Sequence, residues 1–287
     1  MCIKIITGIA AIVVVGLIGT VLISQSRFNR QIEKDVESLL EKAKTDDQVF
    51  KKEDLEGLPE PVKGYFNKVM KEGQPYIDTV RLKQRGEFRV GGDNSSPWRS
   101  FTATQHYSIN PPGFIWDAEI KFFPLIPVRV VDSYKNGEGS LQGKLLSTIT
   151  VADAKPSPEM NSGELLRYLG EAVWFPTALL PDQGVKWESI DNNTARATIE
   201  DQGVQASVLF HFNEENEVVK IHAEKRYRQE DNSSKPWTGY FEDYEKRNGI
   251  LIPLKGEVGW DLEEGYLSYW KGSIKEIEYG ITKEDSQ

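Results

Sequence analysis

The chain has 287 residues, with a hydrophobic fraction of 39%, an aromatic fraction of 10% and a formal charge of −9. That is enough apolar material for a folded core and the wrong sign of charge for a polyanion, which argues against DNA or RNA as a partner. Cys2 is the only cysteine, so an intrachain disulfide and a cysteine-rich metal centre are both excluded.

Residues 5–23, IITGIAAIVVVGLIGTVLI, carry no charge. At ~1.5 Å per residue such a run matches a ~30 Å hydrocarbon core. It is longer than the ~7–15 residue apolar centre of a signal peptide, and Ser24-Gln25-Ser26 makes a poor cleavage site. Residues 1–26 therefore read as an uncleaved, single-pass membrane anchor. Arg27, Arg30 and Lys34 follow the span and only Lys4 precedes it, which by a literal count of basic flanks keeps the rest in the cytoplasm. Long domains translocate regardless of flanking charge, and a lone N-terminal span before a large β domain usually serves export, so the expected location is extracytoplasmic.

Phe28, Ile32, Val36, Leu39, Leu40 and Ala43 recur at three- and four-residue steps among charges, the pattern of an amphipathic stalk or surface-lying helix. With the charged stretch 44–56 this makes 27–57 a stalk and linker. A single β-rich globular domain is expected over 58–287. It opens with a short helix in which Pro61 suits the first turn, Val62, Tyr65, Phe66, Val69 and Met70 form the apolar face, and Gly73 is the stop.

From Tyr76 the hydrophobic period changes to two. Val80, Leu82, Phe88 and Val90 alternate with Arg81, Lys83, Arg85, Glu87 and Arg89, a strand buried on one face. Segments 98–109, 114–122, 128–134 and 140–151 continue the pattern, separated by turns at 91–97, 111–113, 123–127 and 136–139. One helix interrupts it, within SGELLRYLGEAVWFPTALLP (162–181). Ser162 can cap it, Leu165, Leu166, Leu169, Ala172 and Val173 make its apolar stripe, and Glu164, Arg167 and Glu171 lie off that stripe. The strands then resume at 185–190, 195–199, 204–212, 218–228, 238–244, 250–260 and 266–279. About eleven sequential strands around one helix predict a mainly β fold, a large curved antiparallel sheet forming a half-barrel or open barrel that wraps the helix at 163–175.

Known catalytic spacings are missing. Gly137-Glu138-Gly139-Ser140 is not a nucleophile elbow, Gly143-Lys144-Leu145 is not a phosphate loop, and His222-Ala223-Glu224 has no cysteines to complete a deaminase zinc site. His106, His211 and His222 are far apart in sequence, so neither a metal nor a cofactor is expected. The chemistry-bearing set is acidic and aromatic: Trp116, Asp117, Glu119, Arg129, Asp132, Arg167, Glu171, Trp174, Trp187, Glu188, Glu242, Asp243 and Trp260. In 114–122 the alternation puts Trp116 on the apolar face and Asp117 and Glu119 on the other. Arg167 and Glu171 are placed to meet Asp117 or Glu242, either as an ion-pair network fastening helix to sheet or as the polar floor of an apolar cleft.

The segments LPEPVKGYF (58–66), VRLKQRGEF (80–88), PPGFIWDAEI (111–120), RYLGEAVWFPTALLP (167–181), ARATIED (195–201) and PWTGYFEDYEKRNGILIPLKGEVGW (236–260) resemble a bacterial family known only as a domain of unknown function. Its members often carry an N-terminal hydrophobic span, and the resemblance implies no reaction and no catalytic residues. The architecture is also similar to the open half-barrels of bacterial lipoprotein carriers, which hold acyl chains in the concave face.

The reading that follows is a membrane-tethered, non-enzymatic binding domain. It would hold a lipid or other apolar molecule in a groove lined by Trp116, Phe122, Arg167, Leu169, Glu171, Val173, Trp174 and Trp187. Two alternatives stay open. One is a hydrolase or lyase using Asp117 and Glu171 with His106 or Glu242; the other is a purely structural envelope protein.

Overall fold

The computed structural model describes residues 2–45, 47–89, 93–123 and 126–286, leaving aside the side chains of 2–6, 8–11, 13, 14, 17, 123 and 286. Val90, Gly91 and Gly92, expected to end a strand and begin a turn, and Pro124 and Leu125 in the expected turn at 123–127, lie outside the described residues.

Among the described residues three α-helices, α1 (Cys2–Lys42), α2 (Glu60–Val69) and α3 (Pro158–Glu171), accompany the strands. The first six strands are β1 (Thr79–Arg89), β2 (Trp98–Ser108), β3 (Gly113–Phe123), β4 (Ile126–Lys135), β5 (Glu138–Leu145) and β6 (Ile149–Ala154). After α3 come β7 (Lys186–Asp191), β8 (Thr194–Asp201), β9 (Val204–Phe212), β10 (Val218–Arg228), β11 (Ser233–Arg247), β12 (Ile250–Leu262) and β13 (Gly265–Tyr279).

All thirteen belong to one antiparallel sheet in the order β6-β5-β4-β3-β2-β1-β13-β12-β11-β10-β9-β8-β7. The chain thus starts at the middle, steps out to one edge, crosses on α3 to the far edge and steps back until β13 zips onto β1. The two edges, β6 and β7, are not paired with each other, so the sheet is open. It is nevertheless strongly curled. One helix, α3, packs on β9 and β10 from one half and on β3, β4 and β5 from the other, and only a sheet wrapped around it permits both.

The main core lies on that concave side. Tyr107, Phe114, Tyr134, Leu165, Tyr168, Leu169, Phe175 and Phe210 are all essentially inaccessible there. A second, smaller core forms on the convex side. Phe28, Ile32, Val36, Leu39 and Leu40 of α1 are buried with Ile115 and Ile281, so the stripe read as a stalk packs against the back of the sheet. Lys144 and Arg129 stand over the ring of Phe28, with cation-to-centroid distances of 4.2 and 5.7 Å. The N-terminal half of the same helix leaves Ile12, Val15, Ile18, Leu22 and Ile23 exposed. Among the described residues no helix is long and apolar enough to cross a membrane.

Three local expectations are corrected. The expected strand at 140–151 is two strands, β5 and β6, because Leu146 and Ser147 adopt left-handed backbone at φ 50° and 56° and turn the chain. The strand expected at 238–244 is far longer, since β11 runs from Ser233 to Arg247. The central helix starts earlier than Ser162. Ser157 accepts a hydrogen bond from the Met160 amide at 3.1 Å and Pro158 occupies the first turn, a stronger start signal than Ser162, whose hydroxyl donates to the Gln205 carbonyl instead. Past Glu171 the chain tightens into three short 3₁₀ turns, Ala172–Trp174, Pro176–Leu179 and Pro181–Gln183, of which the first two form the apolar plug.

Candidate functional site

Between α3 and the concave sheet lies a cavity of about 210 Å³. Its walls are aromatic: Trp116, Trp174, Trp237, Trp260, Tyr269 and Trp270. Its floor is charged, and strand register explains how. Trp116 of β3 pairs with Gln105 of β2 on one side and with Asp132 of β4 on the other, so these three side chains stand in a row on the concave face. Opposite them, Glu164, Arg167 and Glu171 occupy one face of α3 at three- and four-residue spacing. That face is turned into the fold, where the sheet supplies partners.

Arg167 is bound on two sides. Its Nε donates to Glu171 Oε1 at 2.8 Å, and its Nη1 donates to Asp132 Oδ2. Its guanidinium also lies 4.9 Å from the Phe114 ring centre and 5.2 Å from that of Trp116. The second oxygen of Glu171 accepts from Gln105 Nε2 and from the Tyr107 hydroxyl, both at 2.8 Å. A second cation, Arg226 of β10, donates to Glu164 Oε1 at 3.1 Å, to the Gly163 carbonyl at 3.2 Å and to the Tyr269 hydroxyl at 3.1 Å. It stacks on Trp237 at 5.0 Å and faces Trp260 at 5.8 Å. Three carboxyl groups thus share two guanidinium groups, and two oxygens, Asp132 Oδ1 and Glu164 Oε2, are buried without a protein hydrogen-bond partner.

Asp132 is consequently hard to ionise. Burial, then the neighbouring charge of Glu164, pushes its pKa up to about 8 against the opposing pull of Arg167 and Arg226. An aspartate in an unfolded chain titrates near 3.9. Between about pH 4 and pH 8 the folded state therefore retains a proton that the unfolded state has released, and stability falls as pH rises through that window. The expected slope is at most about 1.4 kcal/mol per pH unit for one proton. Urea midpoints measured from pH 5 to 8 should decline in the wild type and flatten in Asp132→Asn. An equal decline in both would remove Asp132 as the cause.

Of the residues expected to line a groove, Trp116, Arg167, Glu171 and Trp174 do line the cavity. Leu169 and Val173 are fully buried in the core. Phe122 packs at its margin beneath Arg99. Trp187 sits on edge strand β7, donating to the Leu179 carbonyl at 2.9 Å and packing edge-on to Phe210. The expected partners of Arg167 and Glu171 are corrected as well. Asp117 is on the convex face in a two-pronged pair with Arg129 at 2.7 and 2.6 Å, and Glu242 is exposed. His106 stands opposite Arg81 and Ile115, on the face away from the cavity. Among the described residues no His, Cys, Asp and Glu side chains group to hold a metal ion.

Arg226 escaped the sequence reading for a definable reason. Counting alternately from the buried Ile221 and Ala223 points residue 226 outward. A bulge between Ala223 and Arg226 exposes Glu224 and Lys225 together and turns Arg226 inward. The signal was the run Glu224-Lys225-Arg226, three charges where alternation requires an apolar residue.

The cavity opens beside the β1–β2 and β10–β11 hairpins and the start of α3, where Arg89, Asp93, Glu159, Gln229 and Glu230 line it. A family model described as "Family of unknown function (DUF6920)" matches residues 56–279, the stretch that runs from just before α2 to the end of β13 and holds every cavity-lining residue. The chain belongs to that family. The DUF6920 description supplies no reaction, and its match leaves α1 outside.

No curated protein matches the chain. Among solved structures it is similar to a LolA superfamily protein from Nitrosomonas europaea, at 12% identity, TM-score 0.30, and coverage of 76% of this chain and 91% of that one. It is also similar to a beta-barrel-like protein of domain of unknown function DUF1849 from Brucella abortus, at 12% identity, TM-score 0.23, and coverage of 72% and 99%. A porin-like protein from Bacteroides uniformis gives 8% identity, TM-score 0.25, and coverage of 71% and 97%. Likenesses this distant carry no weight for function, and the fold stands on the strand order itself.

Proposed function

We propose that this DUF6920 domain is a membrane-tethered, non-enzymatic binding module that holds a small apolar or amphipathic molecule between α3 and the concave sheet. The observation that carries this is the aromatic cavity over a charged floor. Its volume of about 210 Å³ exceeds the ~150 Å³ that admits benzene and is smaller than the ~300 Å³ at which drug-sized pockets begin. The site suits a compact ligand or one segment of a longer chain. The alternative acid–base site has little support, because Asp117, His106 and Glu242 do not converge on Glu171.

Tethering is supported by the uncharged run 5–23 and by the exposed Ile12, Val15, Ile18, Leu22 and Ile23, on the same continuous helix that docks to the sheet further along. Such an anchor would hold the domain close to the bilayer, on its extracytoplasmic side.

The test is native mass spectrometry of the full chain extracted from membranes of expressing cells. A stoichiometric adduct is expected, and it should be lost in Val130→Phe and Val258→Phe, which fill the cavity from its wall, while near-ultraviolet circular dichroism stays native. A bare mass throughout, with no change in unfolding midpoint on adding lipids or small amphiphiles, overturns the binding reading. Deleting residues 2–23 should move the chain from the membrane to the soluble fraction, and retention in the membrane would sink the tether.

A further inference from the structure

The floor of the cavity specifies more than apolarity. Arg167 and Arg226 each spend donors on carboxylate oxygens, and both oxygens of Glu171 are occupied. Acceptor capacity remains: Asp132 Oδ1 and Glu164 Oε2 are buried without a protein partner, on side chains that border the cavity and are only 5% and 4% exposed. Leaving a buried acceptor unmade costs about 1–3 kcal/mol, more for a charged group, so a site that leaves two is built for a donor. Both side chains border the cavity, and Glu164 lies three residues before Arg167, which pairs with Asp132. The indole faces of Trp116, Trp237 and Trp260 already carry guanidinium groups at 5.0–5.8 Å and offer a cation a second kind of attraction.

We propose that the cavity takes an amphiphile with a primary ammonium head, whose N–H groups reach Asp132 Oδ1 and Glu164 Oε2 while its chain lies against the tryptophans. This rests on the reading of the cavity as a ligand site. With Asp132 protonated, two carboxylates balance two guanidinium groups, and ionising Asp132 beside a bound ammonium keeps that balance, whereas an anionic head would face the two unpartnered oxygens. A primary ammonium has three N–H donors; a quaternary one has none and would keep only the aromatic attraction. Binding also carries a proton signature. Asp132 is faced by Glu164, Arg167 and Glu171 from α3 and by Arg226 from β10, and a new cation beside it favours its ionised form. Uptake therefore releases a proton, and affinity rises with pH.

The probes are hexylamine, hexanol, hexanoate and hexyltrimethylammonium, titrated into the full chain in lipid nanodiscs and read by tryptophan fluorescence against empty-disc blanks. Hexylamine is expected to bind at least about ten-fold more tightly than hexanol, with hexanoate weakest. Its affinity should rise several-fold from pH 6 to pH 8, where the amine itself stays protonated. Asp132→Asn should abolish that pH dependence and cut the preference for amine over alcohol to less than about three-fold. Equal binding of hexylamine and hexanol, or preference for hexanoate, overturns the ammonium assignment while the binding module stands. The wild-type series decides this even where a variant fails to fold. Failure of all four probes to bind overturns the assignment and the binding reading together.

Discussion

Arg167→Met is expected to destabilise the folded chain by about 3–5 kcal/mol, the cost of removing one partner from a buried ion pair. The side chain of Arg167 is 15% exposed and its two carboxylate partners, Asp132 and Glu171, are 8% and 14% exposed. Removing the guanidinium leaves Glu171 without its ion pair and Asp132, already held protonated by burial, without its hydrogen bond. Methionine fills a similar volume and keeps some contact with Phe114 and Trp116, so the loss is chiefly electrostatic. Arg167→Lys should recover only part of it, because an ammonium lacks the planar fork that meets Glu171 with Nε and Asp132 with Nη1. Adding Glu171→Gln to Arg167→Met should recover roughly 1–2 kcal/mol by removing the carboxylate left without its ion pair, which a double-mutant cycle in urea reads directly. A loss below about 1 kcal/mol for Arg167→Met would mean that water reaches and solvates the floor, so that it is not a desolvated network. The expected loss of about 3–5 kcal/mol is a large part of a typical total stability of ~5–15 kcal/mol, so the variant is expected to be at the limit of folding.

The extent to which this site was legible in the sequence follows from the range of each interaction. Strand positions came from period-two alternation, a local property, and the boundaries of β9 and β10 match it to the residue. The helix and its charged face were equally local: Glu164, Arg167 and Glu171 are separated by three and four residues. What alternation cannot reveal is which strand lies opposite. Asp132 is 35 residues from Arg167 and Arg226 is 62 from Glu164, pairings decided by how the sheet curls. Asp117 looked as suitable as Asp132, but the two occupy opposite faces, and Asp117 meets Arg129 on the convex side. The charged face of α3 was expected to meet the sheet through Asp117 or Glu242, and the sheet that encloses it presents Asp132 and Arg226 instead.

The curl itself depends on glycine, and Gly86→Ala is expected to cost about 3 kcal/mol or more, at the upper end of overpacking penalties. Gly86 of β1 pairs with Gly272 of β13, and Gly272 pairs with Gly256 of β12, so a row of three glycines crosses the seam where the chain's last strand meets its first. A β-carbon on Gly86 would come to 1.9 Å from the Lys271 carbonyl oxygen and 2.8 Å from Phe101, and the first of these is backbone that cannot rotate away. At Gly272 the added carbon would meet the Trp270 ring at 2.3 Å. The missing side chains are what let that indole lie over the row and form part of the cavity wall. Gly163→Ala supplies the contrast. It sits inside α3, its β-carbon would stand 3.9 Å from Arg226, and alanine is the better helix former, so a gain of up to about 1 kcal/mol is expected. In hydrogen exchange Gly86→Ala should unprotect the amides of β1 and β13 first, because the clash lies between those two strands, whose pairing joins sequence-distant parts of the sheet. Unchanged protection at the seam, with a urea midpoint equal to wild type, would show that the sheet does not need the close approach of these backbones to hold its curvature.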